Sequence, residues 1–378
     1  MTPAAAPGGP PCISAWSALS PGGIGRAAFV DGLRAAAGGP TSIEWEWPLD
    51  SYGRAHLVPG FDIPTLLGRK GARSLDRLTG LAAATVSRLL GGDAGMAETD
   101  GVGLVLGTTA GSSQSAMDFT RQGLTGRRPH EVDPALLPNA IMNRAAAECA
   151  IRHGLTGPNT TVAGGRVAGL LALAQASRFL GAGRAERVLV GAAEECSPAR
   201  VWLSRRDTDA VAPPGEGCGL LVLDRPDSTV ALAEEAGRAE VVATETRTRL
   251  PDEIGTALTE CVHALLARSR TEPAEVWAAV GSGASGSLGL LETRALRGVF
   301  GDSALARVPS VDRFGELDSV SSVFAILAAL VSAERETAVR EKTAVICAVD
   351  PCGTAAATLL RLSNGRTSGH PHVKGEGR

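Results

Sequence analysis

Covalent and acid–base chemistry in proteins rests first on thiols and imidazoles, and this 378-residue chain has 7 cysteines and 6 histidines. The cysteines are Cys12, Cys149, Cys196, Cys218, Cys261, Cys347 and Cys352, scattered and odd in number. No two form a C-x-x-C pair, which argues against structural zinc and iron–sulfur centres. Unpaired, dispersed thiols fit a reducing cytoplasm. His56, His130, His153 and His263 stand singly and read as core or surface residues. His370 and His372 lie in a stretch without apolar period and read as solvated. Two glycine-rich stretches lack the spacing for phosphate chemistry. "GSGASGSLG" has no GxxxxGK[ST] pattern, and the Gly-x-Gly of "GAGRAERVLVG" precedes a predicted strand instead of following one. The clusters "RTRLPDE" and "RSRTEPAE" read as solvated charge. No metal and no cofactor is expected.

The elements that must position any site follow from periodicity. Short β-rich runs alternate with longer Ala/Leu-rich patterns, the mark of an α/β protein. Strands are predicted at Cys12–Ala18, Gly103–Thr108, Thr160–Ala163, Arg187–Ala193 and Cys218–Leu223, with helices at Asp76–Leu90, Ala140–His153 and Val167–Leu180. A second series follows the turn "RPDSTV". It comprises strands at Val230–Glu234, Val276–Gly281, Thr343–Val349 and Ala356–Leu362, and helices at Pro251–Ser269, Leu290–Phe300 and Val320–Glu334. The order of elements is similar in both series, an internal duplication of pattern. We therefore expect halves at residues 1–225 and 226–362 and a disordered tail at 363–378.

Composition narrows the function classes. A net charge of −3 gives no electrostatic case for nucleic acid or anionic membrane. Aromatic residues at 3% leave little for base stacking. The longest apolar run, Val323–Ala333, is too short to span a bilayer and reads as a buried core helix. "MTPAAAPGGPP" has neither the basic nor the apolar region of a signal peptide.

Several motifs together resemble the β-ketoacyl synthases, the condensing enzymes of fatty-acid and polyketide assembly. "GLVLGTTAGSSQS" resembles that family's strand and Gly-rich turn. "LLPNAIMNRAAAECAIRHGLTGPNTTV" is similar to its helix and "GLxGPN" strand entry, and "LALAQASRFLGAGRAERVLVGAAEE" to the helix and strand that follow. "PPGEGCGLLVLD" resembles its "GEGAG…VLE", and "AVDPCGTAAATLL" its C-terminal "GFGGTN" loop and last strand. The likeness covers roughly Cys12–Leu362. It implies the thiolase fold, two duplicated halves in an α-β-α-β-α layered sandwich that dimerises through a central strand.

Decarboxylative condensation needs a thiolate whose pKa is lowered by a helix N-terminus. It also needs two imidazoles to stabilise a developing oxyanion. The resemblance places Arg166 at the cysteine position, and a guanidinium stays protonated and cannot accept an acyl group. Gly281 falls on the first histidine and Glu316 on the second. Val311 falls on the lysine of the second motif, Gly289 on the aspartate of the first, and Pro351 on the pocket-gating Phe. Glu292 alone matches its motif glutamate. These replacements imply a condensing fold without its catalytic groups. An arginine at a helix N-terminus is electrostatically unfavourable, so Arg166 is expected to pair with Glu316 in a charge-assisted, bidentate bond that closes the vestigial pocket.

Such a subunit resembles the chain length factor of type II polyketide synthases, although that factor usually carries glutamine where Arg166 stands. The resemblance implies polyketide (antibiotic) biosynthesis, a heterodimer with an active ketosynthase, and an acyl carrier protein bearing the growing chain. It places tunnel-lining positions at Ala110, Ser113, Ala116 and Thr120, all small, with Met117, Leu136 and Leu137 as further candidates. Two other readings stay open. One is a degenerate homodimer that acts as a scaffold or binds an acyl chain or its carrier. The other is an enzyme that uses Cys352 of "PCG", a loop comparable to one that holds a working cysteine in thiolases.

Overall fold

The computed structural model describes residues 9–34, 39–43, 53–96, 98–128, 130–204, 212–226, 238–336 and 341–363. A first series of strands comprises β1 (Cys12–Ser20), β2 (Gly103–Thr108), β3 (Asn159–Ala163), β4 (Arg187–Glu194) and β5 (Gly217–Asp224). A second comprises β6 (Arg238–Thr248), β7 (Val276–Val280), β8 (Glu341–Asp350) and β9 (Thr354–Ser363). All are hydrogen-bonded in the order β7-β8-β9-β6-β1-β5-β4-β2-β3, with Gly23–Ile24 beside β1. The two series repeat one topology. β2 runs parallel to β4, which is antiparallel to β5, which is antiparallel to β1. In the second series β7, β8, β9 and β6 stand in the same relations. Among the described residues the second series has no counterpart of the edge strand β3. The two series meet where Cys12 and Ile13 pair with Glu240 and Ala239.

Alternation along the strands builds the layers, because successive side chains point to opposite faces. In β8, Ala344, Ile346 and Ala348 face one core, while Val345, Cys347 and Val349 face another. In β2, Val105 faces the first of these and Leu104 and Leu106 a third. The shared central core holds helices α4 (Ala168–Gly181) and α8 (Ser321–Arg335). Outside one half lie α1 (Arg77–Arg88) and α3 (Arg144–His153). Outside the other lie α6 (Ile254–Ser269) and α7 (Gly286–Leu305). The result is helix, sheet, helix, sheet, helix. α8 is apolar almost all round because sheet and helix cover it on every side. Phe324 on α8 is fully buried, and its truncation to Ala costs ~3–5 kcal/mol. Two further helices, α2 (Ser113–Thr125) and α5 (Pro198–Ser204), pack against each other.

Several expectations shift. Ala140–His153 divides into a short turn of helix at Leu137–Ala140 and α3 from Arg144. Leu290–Phe300 extends to Gly286–Leu305 with a break at Gly301, whose φ is 74°. The strand expected at Val230–Glu234 lies outside the described residues, and the strand that does form begins at Arg238. His370, His372 and all of the expected tail except Ser363 also lie outside them, and Ser363 ends β9. No helix among the described residues is long and apolar enough to cross a membrane.

Candidate functional site

Arg166 lies in a three-residue 3₁₀ turn, Gly165–Val167, that leads into α4. The turn requires a left-handed residue, and Gly165 supplies it with φ 54°. A Cβ there would overlap Oδ2 of Asp350. That same oxygen accepts the backbone N–H of Arg166 at 2.9 Å. Arg166 is 4% exposed. Its Nη1 forms the expected ion pair with Oε1 of Glu316 and lies 3.8 Å from Oδ1 of Asp318. Its Nη2 donates to the carbonyl and hydroxyl of Ser282, both at 3.3 Å. Burial pushes the Arg166 pKa below its usual value, against the pull of Asp318, Glu292 and Asp350.

Two details of the expectation need correction. The pair is not bidentate, because Oε2 of Glu316 is taken by the Ser285 hydroxyl at 2.8 Å at the start of α7. Nor does it close the pocket. A cavity of about 1020 Å³ remains in front of it, lined by Arg166, Glu316, Asp318, Asp350 and Ser285, with Leu171, Ile254, Leu288 and Leu291 as apolar wall.

The other matched positions fill in around this cluster. A Cβ on Gly281 would stand 2.9 Å from Oε2 of Glu292, and one on Gly289 would overlap the Ala284 carbonyl. Neither site accepts a side chain without movement. Glu292 is buried and accepts the Ser282 amide at 2.9 Å; burial raises its pKa against that bond. Val311 is buried in the central core. Pro351 and Cys352 line the cavity, and Cys352 is exposed and in no disulfide. His56, His130, His153 and His263 are not among the residues lining it, so no imidazole from among them activates the thiol there.

A second arginine, absent from the motif reading, organises the far side of the pair. Arg200 on α5 donates through Nη2 to Asp318 at 2.7 Å and to the Glu316 carbonyl at 2.9 Å. Through Nη1 it donates to the carbonyls of Glu195 at 2.7 Å and Gly215 at 2.6 Å. Burial alone would lower its pKa, but Asp318 and Glu194 outweigh that and hold it above the usual value. Asp318 has φ 44°, the left-handed region that Asp tolerates better than most residues. Nothing in the local sequence singles Arg200 out, because its partners Glu195, Gly215, Glu316 and Asp318 come together only in the tertiary fold.

The seven tunnel candidates sit elsewhere. Ser113, Ala116, Met117 and Thr120 are on α2, Ala110 precedes it, and Leu136 and Leu137 lie in the turn packed near it. None lines the cavity in the single chain. Ala110, Thr120 and Leu137 are exposed, and Leu124, Ile141 and Met142 nearby in sequence are exposed as well. The edge strand β3 exposes Asn159 and Ala163 and pairs on one side only, with β2.

Residues 11–228 match the family described as "Beta-ketoacyl synthase, N-terminal domain". The chain is 30% identical over 146 residues to 3-oxoacyl-[acyl-carrier-protein] synthase 2 of Vibrio harveyi, 38% of this chain and 35% of that relative. It thus spans only about a third of that relative's length. Among solved structures it is similar to "The ishigamide ketosynthase/chain length factor", at 42% identity and TM-score 0.85, covering 94% of this chain and 100% of that one. It shares its fold with an acyl-carrier protein–ketosynthase complex of a type II system, AntDE:AntF, at 16% identity and TM-score 0.71, covering 94% and 99%.

Proposed function

Because this chain belongs to the β-ketoacyl synthase family and offers a guanidinium where that family offers a thiolate, we propose that it is a non-catalytic, chain-length-factor-like subunit of a type II polyketide synthase. The observation that carries the reading is Arg166 at the head of α4, buried and ion-paired with Glu316. A protonated guanidinium held by a carboxylate cannot take up an acyl group or deprotonate a thiol. The turnover then belongs to a partner ketosynthase that supplies the cysteine and both histidines. The similarity to a ketosynthase/chain length factor structure supports that partner.

The surface supports a heterodimer. β3 is an unpaired edge, and an unpaired edge invites pairing with a second chain. Leu137, Ile141 and Met142 add exposed apolar area between α2 and α3. Interfaces of obligate pairs bury more than ~2,000 Å² and are apolar. Across this interface α2 would line the tunnel in which the carrier-borne chain grows, with Ala110, Ser113, Ala116, Met117, Thr120, Leu136 and Leu137 as its wall. Ala110, Ser113, Ala116 and Thr120 are small and leave room for a long chain.

The test is reconstitution with the ketosynthase and malonyl-loaded acyl carrier protein. This chain alone should form no product, and the pair should elute as a 1:1 complex that elongates. Ser113→Phe or Ala116→Phe should shorten the product. Elongation by the isolated chain overturns the reading, and unchanged product length in the Phe variants overturns the tunnel. A second reading, a degenerate homodimer acting as scaffold or acyl binder, is favoured by the cavity that stays open beside Arg166. A stable homodimer that ignores the ketosynthase would select it.

A further inference from the structure

Two helices that begin apart in sequence are clasped head to head. Glu195, the residue just after β4, is 1% exposed. Its Oε1 accepts the backbone amide of Gln114 at 3.1 Å and the Ser197 hydroxyl at 2.9 Å, and its Oε2 accepts the Ser112 hydroxyl at 3.1 Å. Ser112 is the N-cap of α2, and Gln114 lies in its first turn. A carboxylate there also meets the positive end of the helix. In the other direction, Oε1 of Gln114 accepts the Ala199 amide in the first turn of α5 at 3.1 Å. α5 carries Arg200, whose guanidinium ends on Asp318, on the Glu316 carbonyl and on the Glu195 carbonyl. Glu316 and Asp318 are the acids that face Arg166. A run of charged and polar contacts therefore reaches from the vestigial nucleophile position to the head of the helix that bears the tunnel candidates.

We propose that Arg200, Glu195 and Gln114 form a clasp through which the Arg166–Glu316 pair fixes the seat of α2, making Arg166 a positioning residue for product length. This rests on the tunnel reading above. The arginine is then more than a lost nucleophile. Its charge holds Glu316 and Asp318, Asp318 holds Arg200, and Arg200 with Glu195 and Gln114 holds the first turn of α2. Networks of this kind alter coupling by about twofold to thirtyfold when one member is changed. Burial keeps the contacts free of competing water, so each charged bond is stronger than at the surface.

Two measurements test it. The first is amide hydrogen exchange on the full chain. Arg166→Met and Gln114→Leu should each speed exchange at residues 113–118 by about twofold to thirtyfold relative to α6. Arg166→Lys, which keeps the charge, should restore protection. The second is product length in the reconstituted complex with malonyl-loaded carrier protein, run beside Ser113→Phe. Arg166→Met and Gln114→Leu should shift the ratio of neighbouring chain lengths by the same order, and Arg166→Lys should shift it less. Unchanged exchange at 113–118 in Gln114→Leu overturns the clasp, and unchanged exchange there in Arg166→Met overturns the role of Arg166, whatever the chain's function. Faster exchange with unchanged product length, while Ser113→Phe still shortens it, overturns the link from clasp to length. Should Ser113→Phe also leave length unchanged, the tunnel reading has failed and the length proposal falls with it.

Discussion

The two central helices start on the same backbone and end with opposite chemistry. Each follows a three-residue 3₁₀ turn, Gly165–Val167 before α4 and Asp318–Val320 before α8. Each turn opens with a left-handed residue, Gly165 at φ 54° and Asp318 at φ 44°. In that register Arg166 corresponds to Ser319, Val167 to Val320 and Gly169 to Ser322. Ser319 is sealed in the core, giving its hydroxyl to Glu194 at 2.6 Å and the Ala193 carbonyl at 3.1 Å. Arg166 faces a cavity and needs acids from the other turn. The duplicated scaffold therefore tolerates either residue, and the surroundings decide which is sealed and which looks onto open space. An acid at a helix head is favoured by the macrodipole and an arginine is not, so the α8 turn neutralises the α4 turn.

The most damaging way to break this relation is to remove the acid that both arginines share. Asp318→Ala leaves Arg200 and Arg166 buried with fewer counter-charges, and breaking such a pair costs about 3–5 kcal/mol. Denaturant unfolding should show that loss. A cost below about 1 kcal/mol would mean that Asp318 is not the shared counter-ion.

Next in size is a dependence on pH. Burial lifts the Glu195 pKa to about 7 from 4.5, against the bonds from Gln114 and the serines. A carboxyl raised on folding stabilises the fold fully below its unfolded value and loses that contribution as pH rises through the folded one. Stability should fall between about pH 5 and pH 8 by on the order of 2–3 kcal/mol. Glu194 and Glu292 are raised in the same direction by burial. Glu195→Gln, which cannot ionise, should flatten much of that slope. A wild-type curve that already rises with pH over this window contradicts the assignment.

What could be read without the fold, and what could not, divides along these contacts. Strand β2 was legible residue for residue because Gly103–Thr108 is a short apolar run bounded by turns. Arg166 and Glu316 were legible because each occupies a position whose usual residue type is fixed by chemistry. Arg200 was not, since an arginine in "SPARVWLS" looks like any other until β4 and the "ELD" turn close around it. The open cavity was missed for a related reason. A guanidinium was expected to fill the space, but Ser282, Glu316 and Asp318 draw it back against the floor. α2 escaped the helix assignment because its head, "SSQSAMD", is small and polar, and its cap depends on Ser112 turning back to Ser115.

A gentler probe lies where the two helices touch at equivalent positions. A Cβ on Gly169 would stand 2.5 Å from Oγ of Ser322, whose hydroxyl is buried without a hydrogen-bond partner. Gly169→Ala should cost ~1–3 kcal/mol by overpacking. Ser322→Ala removes a polar atom that is already unsatisfied, so it should be neutral or stabilising. The double variant should be less destabilised than the sum of the two, and a double-mutant cycle measures that coupling. Strict additivity would mean that the helices do not meet there as described.

The smallest effect is expected where intuition places the largest. Arg166 and Glu316 form a buried pair, and single removal strands a charge. Replacing both at once, Arg166→Met with Glu316→Met, removes the desolvation penalty together with the attraction, an exchange that is often neutral or favourable by ~1–4 kcal/mol. Asp318 keeps Arg200 as its partner in that variant, and Asp350 keeps the Arg166 backbone amide, which does not depend on the side chain. The melting temperature should therefore stay near the parent value, while either single change lowers it. If the double variant is as unstable as the worse single one, the pair contributes more than its own neutralisation, and the cluster around α4 is held by that bond instead of by Arg200.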